Sequence, residues 1–148
     1  MAQLIQALQQ QGRTVLLTAA PDAAEMACIA AIQAELTTPV ASLAGQLSLK
    51  ELGAIIAGAD LFIGMDSVPM HMAAATQTPT IALFGPSGDI EWGPWQVPHR
   101  VLVAEGYRCR PCGRDGCGGS KISDCLNAIS VEQVLTAIEQ LTATVRNP

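Results

Sequence analysis

The stretch DLFIGMDSVPMHMAAATQTPTIALFGPSG, Asp60 to Gly88, decides how this chain is read. Asp60–Met65 and Thr80–Phe84 are short apolar runs of the length and composition of buried strands, and Pro69–Ala75 between them reads as a short helix. The joint after the first run carries an acid, a hydroxyl and an imidazole: Asp66, Ser67 and His71. The second run ends in Phe84-Gly85-Pro86-Ser87.

In an open parallel sheet, ligands bind beyond the carboxyl ends of the strands. Asp66 and Ser67 fall at such an end, where the chain turns into a helix whose first N–H groups are unpaired and partly positive, a setting that suits phosphate. Ser67 adds a hydroxyl donor, and His71 lies one turn along, close enough to donate to the same anion. Asp66 would repel a phosphate. It is suited to accept from sugar hydroxyls or to hold His71 in one tautomer. Singly, an acid or serine before a helix is most often a cap, and a lone histidine most often packs. Three together, facing a second strand that ends in FGPSG, favour a site.

Working outward, strands and helices alternate. Ala2–Gln11 is apolar at Leu4, Ile5 and Leu8 and stops at Gly12, as a helix with a glycine C-cap does. Thr14–Ala20 is a buried-strand candidate, and Asp22 is placed to cap a helix over Ala23–Leu36, with Cys28 in its core face. A short strand is expected near Pro39–Leu43. Ser48 with Glu51 forms a capping box ahead of an apolar-faced helix that Gly58 ends. Val101–Val103 reads as a last strand, and Ser130 with Gln133 caps a helix apolar at Val131, Val134, Leu135, Ile138 and Leu141. This alternation predicts a three-layer α/β/α Rossmann-like domain over residues 1–148, built on a parallel sheet. A lone helix ahead of the first strand is unusual for such a domain: it is either an N-terminal helix packing on the sheet or the sign of a chain cut from something longer, with Met1 not a natural start.

Composition agrees. The chain has 148 residues, 49% of them hydrophobic and 14% charged, so a folded core is expected. With two Phe, two Trp and one Tyr, that core must be aliphatic, as parallel strands covered on both faces require. A net charge of −5 with 8 scattered basic residues argues against a nucleic-acid partner. No apolar run is long enough to span a bilayer, and the first residues lack the pattern of a signal peptide. The expected location is the cytoplasm, with peripheral attachment at the inner membrane as an extension.

The segment from Gly58 to Gly88 resembles the signature of glycosyltransferase family 9, the heptosyltransferases that use ADP-heptose to build lipopolysaccharide: a strand ending in Asp-Ser-x-x-x-His, a small-residue helix, and a strand ending in Phe-Gly-Pro-Ser. The tail YRCRPCGRDGCGGSKISDCL resembles most the members that add the third, branching heptose of the inner core. The resemblance implies a GT-B enzyme of two Rossmann-like domains, of which this chain is the C-terminal, donor-binding half. The N-terminal acceptor domain would be absent, and the catalytic base with it. It further implies that Asp66 meets the heptose, that the Ser67 and Val68 amides with His71 hold the diphosphate, that Leu47 and Ser48 lie beside the adenine, and that Asp22 or Glu25 approaches the ribose. The partners implied are ADP-heptose and the lipopolysaccharide core. Transfer would proceed with inversion and require no metal, since a helix end and His71 replace a cation at the leaving diphosphate. The sequence departs from its relatives at Val68-Pro69 and at Ala19-Ala20, where glycines are common; Pro69 also removes an N–H donor.

Three rival readings compete. A nicotinamide or flavin dehydrogenase needs G-x-G-x-x-G after a strand, and Thr14–Glu25 contains no glycine. A nucleotide-sugar epimerase rests on fold analogy alone. The loop 105–125 suggests a metal module, because Cys109, Cys112, Cys117 and Cys125 place four thiols in 17 residues, enough for zinc or an iron–sulfur cluster. Their spacing is not that of paired C-x-x-C knuckles, so free thiols or adventitious disulfides compete with this reading, which amounts to a structural loop clip at most.

Overall fold

The structure is a computed structural model that describes residues 1–146. The chain divides into two compact units, Met1–Leu52 and Gly53–Pro148. In the first, α1 (Ala2–Gln10) buries Ala2, Leu4, Ile5 and Leu8 and ends in a paired turn: Gly12 N–H donates to Gln9 O and Arg13 N–H to Leu8 O. Gly12 has φ +74°, the left-handed conformation such a terminus demands. β1 (Leu16–Leu17) and β2 (Ala41–Ser42) pair in parallel across α2 (Ala23–Ala34). From α1, Gln6 and Gln9 donate to the carbonyls of Glu35 and Pro39 at 3.0 and 3.2 Å, which ties down the loop after α2.

Two expectations fail in this unit. The strand expected to be buried keeps Leu16 exposed, and each strand is only two residues long. Cys28 is exposed rather than in a core, because Ile29, about 100° further round α2, is the residue that helix buries. The unit boundary falls within α3 (Leu49–Ala57), whose capping box forms as the sequence requires. Ser48 N–H and Oγ donate to the Glu51 carboxylate at 2.8 and 2.7 Å, and Glu51 N–H returns a bond to Ser48 Oγ at 3.4 Å.

In the second unit, β3 (Phe62–Met65), β4 (Thr80–Phe84) and β5 (His99–Val103) form a parallel sheet in that order. β4 is buried at every residue, which is why it carries no side chain larger in polarity than Thr80, itself bonded to Thr78 O at 2.8 Å. α4 (Val68–Ala75) connects β3 to β4 and sends Met70 against Ala82 and Phe84, with Phe62, Val101 and Val103 around them. Two four-residue helices, α5 (Asp89–Trp92) and α6 (Asp124–Asn127), are additions that sequence periodicity did not indicate. α7 (Val131–Arg146) is started by the Ser130–Gln133 box and buries Val134, Ala137, Ile138 and Leu141. The expected α/β class with parallel pairing is observed. Among the described residues, no helix is long and apolar enough to cross a membrane.

Candidate functional site

β3 and β4 are neighbours in register, Met65 opposite Leu83, so the turn after β3 and the loop after β4 emerge side by side at the carboxyl end of the sheet. The first holds Asp66 and Ser67, the second Gly85 to Gly88. This is where an α/β sheet binds its ligands.

The Asp66 turn is shaped by its sequence. Ser67 is fully extended (φ −167°, ψ 168°), and its hydroxyl donates back to Met65 O at 3.1 Å rather than capping α4. Helical bonding begins with Met70 N–H and His71 N–H, both donating to Ser67 O at 3.0 and 3.3 Å. Pro69 has no N–H, so the Ser67 and Val68 amides are the backbone donors left at this helix end. His71 rises from the first turn with its side chain 47% exposed, and its Nε2 stands 3.6 Å from Asp66 Oδ1. That separation is an electrostatic contact and too long for a hydrogen bond, so neither side chain is committed to the other. Asp66, Ser67, Val68 and His71 are thus brought together on one turn, two side chains and two amides around one patch of solvent.

The loop after β4 is held by residues the sequence reading did not single out. Arg110, inside the cysteine-rich segment, donates through Nε to Gly85 O at 2.6 Å and through Nη2 to Asp89 Oδ1 at 3.1 Å. Its side chain is 11% exposed. Gly113 N–H donates to Pro86 O at 2.9 Å. A Cβ at Gly85 would lie 3.0 Å from Leu126 Cβ, so a side chain there would press on α6. Arg110 lies 25 and 21 residues from its two acceptors, and no local pattern announces such a bond.

The candidates in the first unit have local partners. Asp22 Oδ1 accepts from Ala24 N–H and Glu25 N–H at 2.9 and 3.2 Å, capping α2. Glu25 Oε2 accepts from Ala20 N–H at 2.8 Å. Leu47 is half-buried and Ser48 exposed, with the Ser48 hydroxyl engaged by Glu51. That bond, with the one from Ser48 N–H, holds the Glu51 carboxyl below its ordinary value of 4.5.

Among the described residues, the four thiols do not come together in one centre. Cys109, Cys112 and Cys117 are exposed free thiols, whereas Cys125 is buried on α6 facing Gly85. Among the described residues, no three His, Cys, Asp or Glu side chains are placed to hold a metal ion.

Residues 1–122 match Glycosyltransferase family 9 (heptosyltransferase). Lipopolysaccharide heptosyltransferase 3 of Escherichia coli is 41% identical over 139 residues, 93% of this chain and 40% of that protein. Lipooligosaccharide heptosyltransferase 2 of Campylobacter jejuni is 32% identical over 88% of this chain and about 42% of its own length. Among solved structures, E. coli ADP-heptose lps heptosyltransferase II superposes with a TM-score of 0.78 at 26% identity, over 98% of this chain and 41% of that one. A glycosyl transferase family 9 structure from Veillonella parvula gives 0.79 at 26% identity over 95% of this chain. The chain therefore spans about 40% of the length of the curated relatives it matches. With the family's matched region covering the Asp66 turn, the 85–88 loop and the sheet that aligns them, this chain belongs to glycosyltransferase family 9.

Proposed function

We propose that this chain is the donor-holding part of a heptosyltransferase, binding ADP-heptose for transfer to the inner core of lipopolysaccharide. The observation that carries this reading is the Asp66 turn: an acid and an imidazole 3.6 Å apart, neither bonded to backbone, beside two amides at a helix start. The two anionic phosphates of a nucleotide-sugar suit the amides of Ser67 and Val68 and a ring N–H of His71. The sugar beyond them suits Asp66, an acceptor able to take hydroxyl protons and repelled by phosphate.

This arrangement assigns tasks at the leaving group. As the bond from the anomeric carbon to the diphosphate breaks, negative charge grows on the diphosphate oxygens. Donors already aimed there stabilise that charge more than they stabilise the intact donor, which is the condition for catalysis. Asp66 orients the heptose so that the face opposite the diphosphate is open to an acceptor hydroxyl, as inversion requires. The base that takes the acceptor's proton belongs to a part of the enzyme outside this sequence, because Asp66 and His71 are both occupied by the donor.

Nucleotide preference tests the reading. Titrating the chain with ADP, UDP, GDP and NAD should show ADP bound best, and ADP-heptose better still. UDP binding equal to or tighter than ADP would transfer the chain to another sugar-transfer chemistry.

A further inference from the structure

The segment 107–126 was first notable for its cysteines, yet its contacts are made by other residues. Arg110 is mostly buried, and a buried guanidinium is costly unless its donors are matched. Two of them are: Nε meets the carbonyl of Gly85, where β4 ends, and Nη2 meets the carboxylate of Asp89, where α5 begins. A single planar group thereby joins the two ends of the 85–89 loop. Gly113 N–H holds the middle of the loop through Pro86 O, and α6 closes on Gly85, where a Cβ would lie 3.0 Å from Leu126 Cβ. The strand register sets this loop beside the Asp66 turn.

We propose that Arg110 is a positioning residue for donor binding: by bridging Gly85 O and Asp89 it fixes the 85–89 loop against which the sugar diphosphate at the Asp66 turn is held. The inference rests on the donor-binding reading above. Lysine cannot replace it, because one ammonium on a flexible stem does not present two donors in a fixed plane. The segment's role is then to deliver a guanidinium to the site's edge, and the thiols on either side of it, Cys109 and Cys112, are not required for that.

The test compares the unaltered chain with Arg110→Ala and Arg110→Lys, measuring ADP-heptose affinity by calorimetry with and without added guanidinium chloride. Hydrogen exchange at the Gly113 and Ala82 amides is followed in parallel. Arg110→Ala should bind about tenfold more weakly or worse, because the 85–89 loop loses the charge-assisted bonds that fix it. Free guanidinium should restore part of it, while Arg110→Lys stays weak and unrescued. Exchange should quicken at Gly113 and not at Ala82 inside β4. Unchanged affinity in both variants, or a loss accompanied by faster exchange at Ala82 and no rescue, would overturn the proposal and leave Arg110 a general structural residue. Should Arg110→Ala not fold, Asp89→Asn carries the test: weaker binding with faster Gly113 exchange supports the proposal, and full affinity overturns it. Failure of the unaltered chain to bind ADP-heptose at all would instead bring down the donor reading, and this inference with it.

Discussion

Three of the helices that begin with an acid or a hydroxyl use it differently. At the start of α2, Asp22 accepts two backbone N–H groups, and at the start of α3 the Ser48 hydroxyl and Glu51 carboxylate satisfy each other and the backbone. At the start of α4 the side chains leave the helix end alone: Ser67 turns back to Met65 O, while Asp66 and His71 face one another without bonding. A helix gives up about 1 kcal/mol when its cap is not made. The α4 terminus, with Pro69 already reducing its donors, forgoes that stabilisation where a ligand anion would supply it. The comparison teaches that, at α4, the cap-like residues left without capping bonds are the ones available to a ligand.

The sharpest way to break this comparison is to ask the chain for the whole reaction. Incubated with ADP-heptose and a lipopolysaccharide core acceptor, it should form no product, because the proposed function assigns both groups at the α4 turn to the donor and an inverting transfer also needs a base. Turnover by this chain alone would mean that a base lies within it, with Asp66 the first suspect, and the two-domain account would have to be dropped. Next in size is His71→Ala, which should weaken ADP binding by about 1.5–3 kcal/mol, between tenfold and a hundredfold or so, as a charge-assisted bond to the diphosphate is lost. Its melting temperature should barely move, since the ring is half-exposed and bonded to no backbone. A large fall in melting temperature with ADP affinity retained would place His71 among the structural residues.

Asp22→Ala should lower stability through the lost cap. Loss of the two N–H bonds at α2 costs about 1 kcal/mol, a few degrees in melting temperature for a chain of this size. A variant as stable as the parent would show that the cap contributes nothing. The smallest effect concerns pH. Because Ser48 holds the Glu51 carboxyl below 4.5, the stabilisation it brings is present above that value and disappears as the pH falls through the lower, folded one. Glu51→Gln should flatten that part of the acid-unfolding curve, and an unchanged curve would separate the capping box from acid sensitivity.

Much of this frame was legible because local chemistry and tertiary structure agree in it. Thr80–Phe84, an unbroken apolar run, is a strand over those same residues and is buried throughout. The boxes Ser48–Glu51 and Ser130–Gln133 form as written, since a cap needs only residues three apart. What escaped was whatever depended on distant partners. Arg110 meets its acceptors across more than twenty residues, and α5 and α6 are single turns, too short to show a helical period. Cys28 and Leu16 were expected inside on hydrophobicity alone, yet burial is decided by which face a neighbour covers. At the site, the sequence named the residues of the Asp66 turn but could not show that Ser67 turns away from its helix. It also gave no sign of the arginine that holds the opposite loop.

The central claim is that the Asp66 turn divides its work, with His71 and the amides on the diphosphate and Asp66 on the sugar. Titrating ADP and ADP-heptose into the unaltered chain and into Asp66→Asn measures that division directly. The claim predicts that ADP binds both proteins nearly equally, while the extra affinity of ADP-heptose over ADP falls by about tenfold in the variant, the loss of a hydrogen bond to a charged acceptor. If Asp66→Asn loses ADP and ADP-heptose alike, or unfolds, Asp66 serves the turn's structure rather than the sugar, and the division of work is contradicted.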